Sequence, residues 1–246
     1  MCQDQQIGVN MLRIQNFSKS YKNGKKAVDN LSLEVQAGDI YGFIGHNGAG
    51  KTTTLRAVVG VLDFEEGEIE IDGISIQKDA LYCKKQTAYI PDNPDLYEHL
   101  TGIQYLNFIA DMYEVTKAER EQLIEKYASA FEILSNLGDL IFSYSHGMRQ
   151  KLAIISAFIH KPKLLVLDEP FVGLDPKASH TLKCFMAELC KDGSAIFFST
   201  HVLEVAEKLC NKIAIIKGGK LIISGDTETV KGNHSLEDVF MDLIEK

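Results

Sequence analysis

Residues 45–52 read GHNGAGKT. Three glycines followed by a Lys-Thr pair at this spacing can wrap a loop around phosphate oxygens. Gly45, Gly48 and Gly50 let the backbone turn its N–H groups inward. The loop follows a strand-like run, DIYGFIG, and opens a helix-like one, KTTTLRAVVGVL. The positive end of a helix dipole then faces the same anion. Lys51 can reach the β- and γ-phosphates of a nucleotide, and the Thr52 hydroxyl can ligand Mg²⁺. His46, Asn47, Ala49 and Thr53 belong to the same phosphate-binding stretch.

A second group of residues can do chemistry with the first. LLVLDE, residues 164–169, is an apolar strand that ends in two adjacent carboxylates. Alternation along a strand predicts that Asp168 and Glu169 point in different directions. One can hold the metal and the other can act as general base on a water. On its own the pair is more often a polar strand end before the turn at Pro170, and the phosphate loop beside it reverses that reading. A third stretch, YSHGMRQK at 144–151, precedes the apolar run LAIISAFIH. Ser145 reads as a helix N-cap, and a hydroxyl, free N–H groups and a dipole make an anion cradle there.

These residues need elements to position them. The region from MLRIQNFSKSY to LSLEVQAGDIYGFIG alternates apolar and polar residues and predicts several strands. In GEIEIDGISIQ the apolar alternation at Ile69, Ile71, Ile74 and Ile76 is broken by a hairpin signal at Asp72–Gly73. Thr101–Gln104 and Thr116–Glu119 both fit a capping box, and residues 101–160 read as almost wholly helical. KLLVLD, SAIFFST and KIAIIKGGKLIISG then read as buried strands, the first three separated by helical patterns. The alternation predicts an α/β core with a helical insert. The core takes residues 1–92 and 161–246, and the insert takes 93–160.

The bulk numbers narrow the function. The chain has 246 residues, 45% of them hydrophobic, and a net charge of −8. That is enough chain for a sizeable core. The charge argues against nucleic acid as a partner, which needs clustered positive charge. The five cysteines show neither a C-x-x-C pair nor zinc spacing, so reduced thiols are expected. No apolar run approaches the roughly 20 residues of a membrane span, and the polar start MCQDQQIGVN lacks a signal-peptide pattern.

GHNGAGKTT, YSHGMRQK, LLVLDEP, GLDP and STH together, in this order, resemble the ATPase subunits of ABC transporters. The resemblance covers nearly the whole chain. It implies a P-loop NTPase core of the RecA-like kind, an N-terminal antiparallel β subdomain and an inserted α-helical subdomain. It implies ATP and Mg²⁺ as ligands, with Thr52 and Asp168 at the metal and Glu169, His201 and Lys51 in catalysis. It places Tyr21 on the adenine and Asp175 of GLDP in communication across a dimer. Tyr21 is otherwise an ordinary strand aromatic, and His201 an ordinary histidine after a strand. In such a dimer each ATP lies between the phosphate loop of one subunit and the Ser145–Gly147 signature of the other.

Two departures from the family's pattern stand out. Ser145 and Gly147 match the usual LSGGQRQR, but Tyr144, His146 and Met148 do not. His146 replaces a glycine and is expected to turn away from the nucleotide. YIPDNPD has Asp92 where the family has a glutamine that bridges metal, water and permease contact. Asp92 keeps an acceptor near the metal but loses the amide donor.

The function implied is an ATP-driven motor at the cytoplasmic face of the membrane, bound peripherally to a transmembrane permease, with a second ATPase subunit for which a copy of the same chain is favoured over a different chain. Tyr97, Tyr105, Phe108 and Tyr113 are candidates to line the permease groove or to fill the insert's core. Only about 16 residues follow GGKLIISGDTETV, so no added regulatory domain is expected there. That favours export, as with subunits paired with ABC-2-type permeases. The alternative is a soluble ATPase of the same superfamily acting on DNA or ribosomes. Those relatives carry long insertions or two such domains in one chain. A non-enzymatic scaffold would be expected to lack Lys51, Asp168 or Glu169.

Overall fold

A computed structural model describes residues 10–21, 24 and 26–245. Cys2 and the rest of the polar N-terminal stretch lie outside the described residues. In chain order the first elements are β1 (Asn10–Ser20), β2 (Lys26–Gln36), β3 (Ile40–Ile44), α1 (Lys51–Val58), β4 (Glu66–Ile71) and β5 (Ile74–Ser75). Next come α2 (Ala80–Gln86), β6 (Thr87–Ile90), α3 (Gly102–Met112), α4 (Lys117–Ala130) and α5 (His146–Ile159). The chain continues with β7 (Leu164–Asp168), α6 (Pro176–Lys191), β8 (Ala195–Thr200), α7 (Leu203–Leu209), β9 (Lys212–Lys217), β10 (Lys220–Asp226), α8 (Thr227–Lys231) and α9 (Leu236–Glu245).

Two sheets form. One has the order β2-β1-β4-β5 and is antiparallel throughout. The β4–β5 hairpin turns on Asp72 and Gly73, both at positive φ (50° and 75°), as the Asp-Gly signal predicted. The other has the order β10-β9-β3-β8-β7-β6, with every pairing parallel except β10 on β9. β3, β7 and β8 are buried along their whole length. A parallel sheet covered on both faces selects such continuous apolar runs. The chain is therefore α/β, as expected.

β6 and β7 are neighbours in the sheet, so residues 91–163 leave it and return beside the strand they left. This excursion carries α3, α4 and α5. Thr101 and Gln104 form the complete capping box at the start of α3. At α4 only half of the box forms. The Thr116 hydroxyl accepts the Glu119 N–H, but the Glu119 carboxylate takes the Lys161 ammonium at 2.7 Å. An ion pair to the chain beyond α5 outcompetes the local reciprocal bond. The excursion does not have a core of its own. Ile155 and Phe158 of α5 share one apolar cluster with Leu165, Leu167, Ile196 and Phe198 of the sheet.

Tyr105 and Tyr113 are mostly core residues. Tyr105 is buried, and Tyr113 stacks on His160 with ring centroids 3.6 Å apart. Tyr97 and Phe108 are exposed and meet edge-to-face at 5.6 Å. Cys83, Cys190 and Cys210 are buried free thiols and Cys184 is an exposed one. Burial pushes the Cys190 thiol up to about 12, which makes it inert. No helix among the described residues is long and apolar enough to cross a membrane.

Candidate functional site

The carboxyl ends of β3, β7 and β8 lie side by side in the parallel sheet, where open α/β sheets bind ligands. The phosphate loop leaves β3, the two carboxylates end β7, and His201 follows β8. The first two line one cavity of about 410 Å³. It is bounded by Tyr21, His46, Asn47, Gly48, Gly50, Lys51, Thr52, Thr53, Asp92, Asp168 and Glu169, with Lys26, Ala27 and Gly218.

The loop conformation is fixed from behind. Gly50 sits at φ 112°, and a Cβ there would lie 2.6 Å from the Ala27 carbonyl oxygen of β2. A Cβ on Gly45 would lie 2.6 Å from the Ile216 carbonyl oxygen of β9. The Gly219 N–H donates to the Ala49 carbonyl at 2.9 Å. Ala49 is buried and points its N–H at the His46 carbonyl rather than into the cavity. The loop is therefore pinned by β2 and by the β9–β10 turn, which the local sequence could not reveal.

Lys51 is 6% exposed. Its ammonium donates to the Gly45 carbonyl at 2.6 Å and lies 3.5 Å from Glu169 Oε1. Thr52 is exposed at the cavity wall. Tyr21 is also exposed, and its hydroxyl meets that of Thr53 at 3.2 Å. The ring thus stands at the mouth beside the loop.

Asp168 and Glu169 diverge, but not through strand alternation as expected. β7 ends at Asp168, and Glu169 has left-handed backbone with φ 49°. Such a conformation costs a non-glycine residue about 1–3 kcal/mol, and strain of this kind collects at functional sites. Ser199 of β8 holds it. Its hydroxyl donates to Asp168 Oδ1 at 2.5 Å and accepts the Glu169 N–H at 3.1 Å. Asp168 is 2% exposed. Glu169 Oε2 accepts from His201 twice, from Nδ1 at 3.0 Å and from the backbone N–H at 3.3 Å. Burial, then the negative Asp168, push the nearby Tyr89 phenol above its ordinary range. Ser199 lay in the STH stretch, and its serine facing two carboxylates across β7–β8 was the signal that strand pairing would have supplied.

Ser145, Gly147 and Asp175 are not brought to this cavity. Ser145 is exposed and caps α5, accepting the Met148 N–H at 3.3 Å. The His146 ring packs against its own chain. It lies over Gly173, within 2.6 Å of where a Cβ on Gly173 would stand. Tyr144 is buried, with its hydroxyl on the Asn136 carbonyl at 2.6 Å. Asp175 caps α6 through the Ala178 N–H at 2.8 Å, ahead of Pro176 at the first helical position. That amide, then the Lys151 ammonium 2.9 Å away on α5, hold its carboxyl below the ordinary range. The Asp-Pro order at a helix start is a cap signal that the sequence carried.

A separate cavity of about 460 Å³ lies between the chain just after α1, α2, β6 and the end of α3. Val61, Leu81 and Met112 are exposed around it, with Lys84 and Lys85 at its edge.

A family model described as ABC transporter matches residues 28–172. An uncharacterized ABC transporter ATP-binding protein of Bacillus subtilis, YhcH, is 36% identical over 90% of this chain and 70% of its own length. The ABC-type transporter ATP-binding protein EcsA of the same organism is 32% identical over 95% and 94%. Among solved structures, an ATP-binding subunit of an ABC transporter superposes with a TM-score of 0.91 at 32% identity, covering 95% of this chain and 99% of that one. The cassette MJ0796, solved as a dimer in a post-hydrolysis state with ADP and Pi, shares the fold with a TM-score of 0.80 at 23% identity, over 88% and 99%.

Proposed function

This chain belongs to the ABC transporter ATP-binding family, and on that premise we propose that its ATPase activity drives a separate transmembrane permease, working as a dimer of two copies with ATP held between them. The observation that carries the reading is the convergence of Lys51, Asp168, Glu169 and His201 at the carboxyl ends of three adjacent parallel strands.

The residues fit Mg²⁺ as the metal of an ATP complex. The Asp168 carboxylate and the Thr52 hydroxyl are hard oxygen donors on the cavity wall, and Mg²⁺ is held by few protein oxygens beside substrate phosphates. Asp92 stands on the same wall as a further acceptor. When bound, the ion neutralises charge on the β- and γ-phosphate oxygens. Lys51 supplies a second positive charge to them. It is shared between the Gly45 carbonyl and Glu169, so an arriving phosphate competes for it and releases the Glu169 carboxylate. Glu169 then takes the proton of the attacking water. His201 orients Glu169 through Nδ1–H, leaving Nε2 for the γ-phosphate side. Tyr21 stacks on the adenine at the mouth.

Ser145 and Gly147 act on the ATP of the other copy, since their exposed helix start lies outside their own chain's cavity. The division into a core of 1–92 and 161–246 with a helical subdomain at 93–160 follows the excursion between β6 and β7. The permease docks at the cleft of Val61, Leu81 and Met112; exposed Phe108 lies one turn before Met112 on α3 and meets exposed Tyr97 edge-to-face. Its apolar floor and lysine edge suit an amphipathic, acidic-flanked segment. Coupling to an export permease at the cytoplasmic face of the membrane is the direction we favour.

The test is purification of the tagged chain from solubilised membranes. A stoichiometric polytopic partner that raises ATP turnover is expected. Association with ribosomes or DNA instead would support the alternative soluble role. In the complex, Asp92→Ala should leave ATP affinity nearly intact and abolish the partner's stimulation. Full stimulation in that variant would remove Asp92 from coupling.

A further inference from the structure

The phosphate loop has a third support, from the far end of the chain. The Phe240 ring of α9 meets the His46 imidazole edge-to-face, with centroids 5.1 Å apart. Phe240 is 6% exposed and lies in the same apolar cluster as Leu236, Ala206 and Ile215. One side of its ring is thus set in the core, and the other bears on the second residue of the loop. His46 is not a bystander. Its carbonyl accepts the Ala49 N–H at 3.1 Å and lies 3.5 Å from the Lys51 ammonium. A shift of His46 moves both the tight turn and the cation.

α9 is itself fastened to the histidine side of the site. The Leu236 N–H, at its first turn, donates to Glu207 Oε2 of α7 at 3.0 Å. Lys231 at the end of α8 approaches the other Glu207 oxygen at 3.5 Å. α7 begins two residues after His201, whose Nδ1 holds Glu169. The contacts close a loop behind the cavity: His201, α7, Glu207, α9, Phe240, His46 and back to Lys51 and Glu169.

We infer that α9 is a positioning brace for the phosphate loop, and that Phe240 sets the affinity for ATP by seating His46. The inference rests on the ATPase reading above and adds a residue that does not line the cavity. Phe240 is a positioning residue, since it acts through His46. The edge-to-face geometry makes the role specific to an aromatic ring.

The experiment is ATP binding in the presence of Mg²⁺, followed with a ribose-labelled fluorescent ATP, on the full chain. Phe240→Leu keeps the apolar volume and removes the ring. It should weaken binding about 3–10-fold, the scale of one aromatic pair. Phe240→Tyr should restore affinity to within about twofold. His46→Ala, a change at an exposed side chain, should also weaken binding. The double variant His46→Ala/Phe240→Leu should then bind no worse than the weaker single variant, because both remove one contact. Wild-type affinity in Phe240→Leu, or losses that multiply in the double variant, would overturn the inference. Wild-type protein that fails to bind ATP would instead overturn the ATPase reading, and this inference with it.

Discussion

Glu169→Gln is expected to cut ATP hydrolysis by roughly 10²–10⁴-fold while ATP binding is retained, the usual scale for loss of a general base. The amide has the shape of the carboxylate but cannot take a proton from water. The surroundings should survive the change. The left-handed backbone at Glu169 is held by its own N–H, which donates to the Ser199 hydroxyl and carbonyl, and neither bond involves the Glu169 side chain. One negative charge fewer beside the phosphates gives binding no reason to weaken. Steady-state phosphate release together with ATP affinity measures both halves, and unchanged turnover would remove Glu169 from its assigned role.

Lys51→Ala should act on binding itself. The ammonium is almost wholly buried and pairs with Glu169 while donating to Gly45. Truncation removes a cation from the phosphates and leaves the Glu169 charge facing them alone. Breaking a buried, hydrogen-bonded charge pair costs about 2–5 kcal/mol. At about 1.4 kcal/mol per decade, that is a loss of about 30- to 4,000-fold in ATP affinity. Lys51→Arg should not restore it, because the planar guanidinium needs more room than a site that accommodates a compact ammonium. Titration with labelled ATP reads the change, and near-wild-type affinity in Lys51→Ala would contradict the placement of that lysine at the phosphates.

Much of this was legible in the chain because local rules governed it. The phosphate loop needs glycine at positive φ and a helix start, and GHNGAGKT shows both. Asp72–Gly73 announces its turn, and Ser145 its cap. The buried strands announce themselves by length and apolarity. What stayed hidden depends on strands and helices far apart in sequence. Ser199 became visible as the residue that separates the two carboxylates only once β8 lay beside β7. Alternation failed at Asp168–Glu169 because the strand stops there and a strained residue takes over. The Thr116 box closed only halfway because Lys161 offered Glu119 a charged partner. His146 could be expected to turn aside, but its seat over Gly173 depends on how α5 meets the loop before α6.

We propose that each ATP is completed by two copies of this chain, with Ser145 and Gly147 of one facing the phosphate loop of the other. The most direct test uses Glu169→Gln, in which bound ATP should persist. Light scattering of that variant with saturating Mg²⁺ and ATP should give about twice the 27.4 kDa mass of one chain. Adding Ser145→Arg, which places bulk and charge at the helix start, should return the mass to that of one chain. A single-chain mass for Glu169→Gln with ATP demonstrably bound would rule out this shared site.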